Sequence, residues 1–253
     1  MPNIADTPSD AFVITALNAR SLHHNIDCIR ADPDIQRSNF LAVSETWALP
    51  SDSDSHYNMA SYHLTRFDNP ISTFDGRPHR GIALYTKGMA HPHGRLFSTS
   101  ACDIVASQVT TPHGHLSIIC IYRSPEMSMT SFLNQLAIAI NAMNASEPLM
   151  IVGDFNTDIK GFTPAHALSL AYEPAHNHLR GLVQFMLTRQ CAQIVQGATS
   201  DSSLQIDHIW TNIQHFWPHL QCTHFILESF YSDHRPIGIV LKHAPSNLPC
   251  ADK

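Results

Sequence analysis

Four short clusters of acid and amide side chains follow apolar runs in this 253-residue sequence. They are Leu17-Asn18, Ser44-Glu45-Thr46, Gly153-Asp154-Phe155-Asn156 and Ser232-Asp233-His234. Carboxylates and amides are depleted in strands, so their position after an apolar run predicts that a sheet edge presents them. Any one cluster is typical of a turn. All four together, in this order, indicate a metal-assisted phosphodiesterase site.

The clusters supply oxygen ligands of the kind that phosphodiester hydrolysis requires. Negative charge grows on the leaving oxygen and persists on the nonbridging oxygens, and a hard divalent cation stabilises that charge. Because Mg²⁺ takes few carboxylate ligands and keeps several waters, Glu45 with Asp233 or Asn18 nearby is a sufficient anchor. The alternative for Glu45 is an acid that is only solvated after its strand.

The Gly-Asp-Phe-Asn segment predicts a carboxylate and an amide that converge. Gly153 permits a tight exit from the preceding apolar run, and Asp154 and Asn156 are two residues apart, so they share a direction. Asp154 can accept a proton from the attacking water or orient it. Asn156 can donate hydrogen bonds to the phosphate or hold that acid in place. A simple turn is the alternative.

A second pair of residues forms a candidate base. If Asp207 accepts a hydrogen bond from one ring nitrogen of His234, the other nitrogen is directed toward the phosphate or the water. His208 follows Asp207 in the same predicted strand, so its side chain should point to the opposite face from Asp207 and have a structural role. At the end of another apolar run, Tyr122 can bond a phosphate oxygen and Arg123 can supply a charge-assisted contact, although such a pair is commonly only packing and solvation.

Composition predicts one folded domain. Hydrophobic residues make up 43% and charged residues 14% of the chain, which excludes a disordered protein and favours much buried sheet. We expect the domain to span residues 12–241, between an N-terminal tail (1–11) and a C-terminal tail (242–253). The six cysteines show no close pairing, which argues against a zinc ribbon or disulfide framework and favours an intracellular location, nuclear or cytoplasmic.

The net charge of −6 argues against a broad, nonspecific nucleic-acid binder. A cation held by acidic residues and the 18 histidines would offset part of that charge. Neither end carries a signal peptide and no apolar stretch approaches the ~20 residues that a membrane helix needs, so we expect no membrane association.

Apolar runs predict nine strands. They are Phe12 to Leu17, Phe40 to Ser44, Gly81 to Thr86, Ile104 to Val109, Leu116 to Tyr122, Leu149 to Gly153, Ile206 to Thr211, Cys222 to Leu227 and Pro236 to Leu241. Helical spacing predicts amphipathic helices over Ser131 to Met143 and around Leu179 to Leu187. Two polar stretches, Pro50 to Pro78 and Thr157 to Asn177, are predicted loops. These elements favour an α/β or α+β sandwich.

The order of these site residues resembles the endonuclease/exonuclease/phosphatase superfamily, whose deoxyribonuclease I-like members it matches over residues 12 to 241. Leu-Asn-Ala-Arg-Ser-Leu, Ser-Glu-Thr-Trp and the segment from Arg80 to Tyr85 are similar to the apurinic-type endonuclease domain of non-LTR retrotransposons. The resemblance implies an α/β fold, a four-layer sandwich of two packed, mainly antiparallel β-sheets flanked by helices. It also implies Mg²⁺-dependent cleavage of DNA, with Mn²⁺ as a substitute, that leaves 3′-hydroxyl and 5′-phosphate ends.

The resemblance also assigns roles by matching motif. Glu45 would bind the metal, assisted by Asn18 and Asp233. Asp154 would orient the water, and the phosphate would be held or polarised by Asn156, Tyr122 and His234 backed by Asp207. Thr199 lies where this branch often has a threonine that positions DNA. Ser200 in place of the usual Arg, and Arg80 in place of a Gly, are departures that bear on DNA affinity more than on chemistry.

Three alternatives stay open at this point. The chain is a DNA endonuclease, a superfamily phosphatase acting on a phosphoinositide or other small phosphate ester, or a nonenzymatic scaffold. A basic cluster that would grip extra phosphates is not evident, which favours the first. The chain has no room for the reverse transcriptase of a parent element, so we expect a fragment, an isolated domain or a domesticated gene product.

Overall fold

A computed structural model of the protein describes residues 11–68, 79–88, 93–97, 99, 101–160 and 177–244. These residues form two six-stranded sheets. The first sheet contains β1 (Phe12–Asn18), β2 (Phe40–Ser44), β3 (Tyr62–Phe67), β4 (Ile82–Lys87), β11 (Leu220–Ile226) and β12 (Ile237–His243). The second contains β5 (His93–Leu96), β6 (Cys102–Thr111), β7 (Gly114–Arg123), β8 (Leu149–Asp154), β9 (Ala192–Gln193) and β10 (Asp207–Thr211).

The described helices are α1 (Leu22–Ala31), α2 (Asp54–Tyr57), α3 (Met129–Asn141), α4 (Asn177–Leu187) and α5 (Ile213–Phe216), with a 3₁₀ turn at Ile35–Arg37. The longer ones cover the outer faces of the sheets. The apolar face of α1 packs on the first sheet, and α3 and α4 pack on the second. Among the described residues, no helix combines the length and apolarity needed to cross a membrane.

The two sheets have similar strand arrangements. The first sheet runs β11-β12-β1-β2-β4-β3 and the second runs β5-β6-β7-β8-β10-β9. Within each sheet one central pair is parallel, β1 with β2 and β7 with β8, and the other pairs are antiparallel. The expected four-layer α/β sandwich with mainly antiparallel sheets is confirmed.

The main core lies between the sheets. Every residue of β1, β2 and β8 is buried, which matches their continuous apolar sequences. Side chains from both sheets, such as Ile14, Phe40, Ile118, Val152 and Ile239, interlock in one cluster. Burying such side chains contributes on the order of 1.5–3 kcal/mol each, so the core holds the strand ends at fixed positions.

The expectation of a loop from Pro50 to Pro78 is wrong, because α2 and β3 lie within it. β3 is at the edge of the first sheet and its side chains are mostly half-buried, so it lacks the apolar run that marks the central strands. Residues 69–78 and 161–176, which belong to the two predicted loops, lie outside the described residues. β12 continues to His243, two residues beyond the predicted domain end.

Candidate active site

The strand register brings the predicted site residues to one end of the sandwich. Asn18 and Ser44 are paired at the carboxyl ends of the parallel strands β1 and β2. In the other sheet, Asp154 at the end of β8 is paired with both Tyr122 and Asp207. Because the two sheets face each other, these strand ends converge across the top of the core.

The Asn18 side chain forms hydrogen bonds to carboxylates at the ends of both sheets. Its buried side-chain Nδ2 donates one hydrogen bond to Glu45 Oε1 at 2.8 Å and another to Asp154 Oδ2 at 3.0 Å. Its Oδ1 accepts from the backbone N–H of Arg20 at 3.0 Å, which orients the amide. One amide therefore holds two carboxylates from different sheets in the same pocket.

Glu45 has a backbone conformation that few L-residues adopt. Its φ is 52°, in the left-handed region that costs on the order of 1–2 kcal/mol for a residue with a side chain. The chain holds it there because Ser21 N–H donates to the Glu45 carbonyl at 2.9 Å and Thr46 N–H donates to the Gly81 carbonyl at 3.3 Å. The half-buried carboxylate is thereby directed toward Asn18.

Asp154 is buried and strongly positioned. Its Oδ1 accepts from the backbone N–H of Asn156 at 2.8 Å, and its Oδ2 accepts from Asn156 Nδ2 at 3.1 Å. The same Nδ2 also donates to the Arg123 carbonyl at 2.7 Å. Burial and the charge of Asp207 raise the pKa of Asp154 to about 7, so this carboxyl changes charge near neutral pH.

Asp207 and His234 form the expected pair. His234 Nδ1 lies 2.9 Å from Asp207 Oδ2, and His234 Nε2 lies 4.0 Å from Asp154 Oδ2. Burial lowers the pKa of His234, but the charge of Asp207 and its hydrogen bond outweigh burial and raise this pKa to about 9. The imidazole is therefore protonated at neutral pH, with Nε2 directed toward the site.

Two hydroxyl groups position this pair. The buried Thr199 accepts hydrogen bonds at its Oγ1 from the backbone N–H groups of Ile206, at 3.1 Å, and Asp207, at 3.0 Å. Ser232 Oγ accepts from the backbone N–H of His234 at 3.1 Å and donates to the Asn18 carbonyl at 2.7 Å. In the structure the Thr199 hydroxyl holds the strand that carries Asp207, and the role in positioning DNA that the resemblance implies stays a prediction.

The guanidinium of Arg123 is engaged within the protein. It donates to the carbonyls of Phe155 and Asn156, each at 2.6 Å, and to Thr157 Oγ1 at 2.8 Å. The side chain is buried, and these bonds hold the loop after Asp154. A charge-assisted contact between Arg123 and substrate stays a prediction, beside the packing role that the sequence also allows.

Tyr122 lies half-buried beside the carboxylates. Burial, followed by the charges of Glu45 and Asp154, raises the pKa of its phenol well above the ordinary value. The hydroxyl therefore stays protonated and is available as a hydrogen-bond donor at neutral pH. This placement is consistent with the phosphate contact that its sequence position predicts.

Asp233 lies at the mouth of the site, where Arg20 forms an ion pair with its Oδ2. Both side chains are about half exposed, at 54% for Arg20 and 42% for Asp233. Asp233 is close enough to contribute to the raised pKa of His234. The sequence interpretation missed Arg20, although it comes two residues after Asn18 in the Leu-Asn-Ala-Arg segment.

His208 is structural, as predicted. It is fully buried, its Nε2 lies 2.8 Å from the Thr157 carbonyl, and its ring stacks on Phe155 with centroids 4.5 Å apart. Burial lowers its pKa to about 4, so it is uncharged at neutral pH. Because it packs away from Asp207, it cannot replace His234.

The donor set fits a hard divalent cation better than a soft one. Asp154, Asp207 and His234 offer ligand atoms within 4.8 Å of one another. His234 already shares its Nδ1 with Asp207, which leaves its Nε2 as the ring nitrogen directed into the site. The carboxylates of Glu45 and Asp154, linked through Asn18, provide the oxygen ligands that Mg²⁺ prefers.

The comparisons agree with this architecture. A family model described as "Endonuclease-reverse transcriptase" matches residues 116–238, the segment that carries Asp154, Asp207 and His234. No curated protein matches the chain in sequence.

Solved structures match over nearly the whole length. The endonuclease domain of TRAS1, a telomere-specific non-LTR retrotransposon, has a TM-score of 0.62 at 14% identity, covering 92% of this chain and 99% of that one. An AP endonuclease from Archaeoglobus fulgidus has a TM-score of 0.63 at 12% identity, with coverage of 92% and 99%. The human Nocturnin catalytic domain has a TM-score of 0.60 at 15% identity, with coverage of 96% and 99%.

These structures show a deoxyribonuclease I-like fold, and the family model over residues 116–238 supports the endonuclease/exonuclease/phosphatase superfamily.

Proposed function

We propose that this protein is a Mg²⁺-dependent endonuclease of retrotransposon origin that nicks DNA to leave 3′-hydroxyl and 5′-phosphate ends. The observation that carries the proposal is the bridge made by Asn18, whose one amide group binds both Glu45 and Asp154. His234, paired with Asp207, lies 4.0 Å from the same Asp154 carboxylate. The proposed metal ligand, the proposed base and the imidazole would then act in one pocket.

Each side chain has a role that follows from its charge and partners. Glu45 would hold the cation, which supplies charge stabilisation to the phosphate. Asp154, whose pKa is about 7, can orient the attacking water and accept its proton. The protonated His234 can donate from Nε2 to a phosphate oxygen, and Tyr122 can donate from its phenol.

The hydrogen bonds of Asn156 favour one of the two roles that its sequence position predicts. Both hydrogens of its amide have acceptors within the protein, the Arg123 carbonyl at 2.7 Å and Asp154 Oδ2 at 3.1 Å. Of the two alternatives, holding the phosphate or holding the acid, the second is favoured. Asn156 would then act on the reaction by keeping the Asp154 carboxylate in place.

A nucleic acid is the favoured substrate for three reasons. The family model is named for an endonuclease joined to a reverse transcriptase, and the TRAS1 structure is an endonuclease domain of a non-LTR retrotransposon. Among the similar structures, one from Neisseria is described as bound to a product DNA hairpin. In a parent element, a reverse transcriptase domain would be the partner that uses the new 3′-hydroxyl.

The same Neisseria protein is described as a 3′ phosphatase, so release of a terminal phosphate is the second candidate activity. Both activities need the same carboxylates and imidazole, and they differ in whether an internal phosphodiester is cut. A nonenzymatic scaffold is the third candidate.

One experiment separates the three functions. Purified protein is incubated with supercoiled plasmid and Mg²⁺, with inorganic phosphate release from a 3′-phosphorylated oligonucleotide measured in parallel. We expect plasmid nicking that needs Mg²⁺ and falls at least ~10³-fold in Asp154→Ala and His234→Ala. Phosphate release without nicking would favour the phosphatase. Equal, negligible activity of all three proteins in both assays would contradict any enzyme.

A further inference from the structure

The indole of Trp47 contacts the metal-ligand candidate Glu45 directly. Trp47 Nε1 donates to Glu45 Oε2 at 3.2 Å. The ring is half-buried and stacks on His79, with ring centroids 4.3 Å apart and an angle of 22° between the planes. The roles described above do not use either aromatic side chain.

The backbone fixes where the indole points. Glu45 and Trp47 both have left-handed φ angles, 52° and 54°. Trp47 N–H donates to the Arg80 carbonyl at 2.9 Å, and Thr46 N–H donates to the Gly81 carbonyl at 3.3 Å. Strained residues persist only where surrounding contacts hold them, and they concentrate at functional sites. These hydrogen bonds fix the segment against the two residues that precede β4, in a conformation that places the Trp47 indole against Glu45.

The two oxygens of Glu45 are held by two different donors. Asn18 Nδ2 donates to Oε1 at 2.8 Å, and Trp47 Nε1 donates to Oε2 at 3.2 Å. A carboxylate offers about four lone-pair sites, so these bonds leave sites free for a cation. Donors on both oxygens restrict the carboxylate to one orientation, which lowers the ordering cost of cation binding.

We propose that Trp47 is a positioning residue for cation binding at Glu45, and that stacking on His79 holds the plane of its indole. The proposal deepens the proposed function, since it rests on Glu45 being the metal ligand. It does not depend on which phosphate ester is the substrate. Trp47 acts through Glu45 and needs no contact with the phosphate.

The test replaces the donor and keeps an aromatic ring. Trp47→Phe removes the indole N–H, while Trp217→Phe makes the same change at a half-buried tryptophan near the opposite end of the sandwich, where it packs beside His113. Mg²⁺ binding is measured by calorimetry on the full chain, with thermal unfolding as the check on folding. We expect Trp47→Phe to weaken Mg²⁺ binding about tenfold, and Trp217→Phe to leave it within about twofold.

Intrinsic fluorescence gives a second readout, which reports where Mg²⁺ binds. Trp210 is buried in the core under the helices and Trp217 is remote, so Trp47 is the tryptophan that contacts Glu45. Mg²⁺ should change the emission of the wild-type protein and of Trp217→Phe, and it should leave the emission of Trp47→Phe unchanged because that variant lacks the reporter. The positioning role itself is tested by the Mg²⁺ affinity, which a purely structural role would leave unchanged in the folded variant.

The outcomes distinguish the two proposals. If the wild-type protein binds no Mg²⁺, the metal-dependent function and the positioning role both fail. If the wild-type protein binds Mg²⁺ and folded Trp47→Phe binds it with the same affinity, the role of Trp47 is overturned and the proposed function stands. If Mg²⁺ binds and folded Trp47→Phe weakens that binding, but plasmid is not nicked, the positioning role is supported and the endonuclease proposal is contradicted.

Discussion

Replacing Asp207 with asparagine should lower the pKa of His234 strongly. Asp207→Asn retains an oxygen that can accept from His234 Nδ1, and it leaves intact the Asp207 backbone N–H that donates to Thr199. It removes only the charge. The substitution therefore tests whether that charge, rather than the hydrogen bond alone, keeps the imidazole protonated.

The size of the effect follows from the environment of the ring. The pKa of His234 is about 9, against an ordinary value of 6.5. At 1.36 kcal/mol for each pH unit, this difference corresponds to about 3 kcal/mol in favour of the imidazolium. Burial opposes the charged form, whereas Asp154 and Asp233 still favour it, so without the Asp207 charge the pKa should fall from about 9 toward the ordinary value of 6.5.

The assay is an NMR titration of the imidazole C–H protons in metal-free protein. We expect the His234 midpoint near pH 9 in the wild-type protein and well below that, toward 6.5, in Asp207→Asn. Asp201→Asn is a matched control, because Asp201 is an exposed acid in the same region. A midpoint in Asp207→Asn that stays within about half a pH unit of the wild-type value would refute the assigned role of Asp207.

The sign of the linked stability change is also defined. A histidine whose pKa is raised by folding contributes stability that is fully present below its unfolded pKa of about 6.5. That contribution is lost as the pH rises through about 9, the folded pKa. The Asp207–His234 pair therefore stabilises the fold fully below about pH 6.5, and this stabilisation decreases between about pH 6.5 and 9.

Two further predictions concern the strand end that carries Asp154. Gly153→Ala should destabilise the protein by about 3 kcal/mol or more in chemical denaturation, because φ is +135° and a Cβ would lie 2.1 Å from a backbone carbonyl oxygen. Gly88→Ala is the control, since φ there is +66° but the space around the Cβ is open, and a loss of only about 1 kcal/mol of stability is expected. Equal losses of stability in the two variants would contradict the close approach between Gly153 and the neighbouring strand. Nicking by the wild-type protein should rise with pH through about 7 as Asp154 loses its proton, and the midpoint should move to lower pH as Mg²⁺ increases, because a cation favours the carboxylate. A rate independent of pH between 5 and 8 would exclude Asp154 as the base.

The central strands could be predicted from sequence because they are buried on both faces. All nine predicted strands exist, with ends within two residues of those predicted. The strands that were missed, β3, β5 and β9, lie at or next to sheet edges and are short or half-exposed. Helix α1 was missed although Leu22, Ile26 and Ile29 have the i, i+4, i+7 spacing of one apolar helix face.

The convergence of the site residues could also be predicted, since parallel strands end at the same edge of a sheet. Glu45, Asp154 and the Asp207–His234 pair lie together as expected. The hydrogen bonds that Arg123 and Thr199 make could not be predicted, because they depend on backbone groups that only the folded loops bring near. The sequence alone does not distinguish a guanidinium or a hydroxyl that is buried in the fold from one that is exposed.

The most direct test of the account is a double-mutant cycle on nicking rates with Asp154→Ala, His234→Ala and the double variant at saturating Mg²⁺. Residues that act as a unit on one phosphate have strongly non-additive effects. We predict that the double variant is about as slow as the slower single variant. Losses that multiply, or single variants that nick as fast as the wild-type protein, would contradict a shared site.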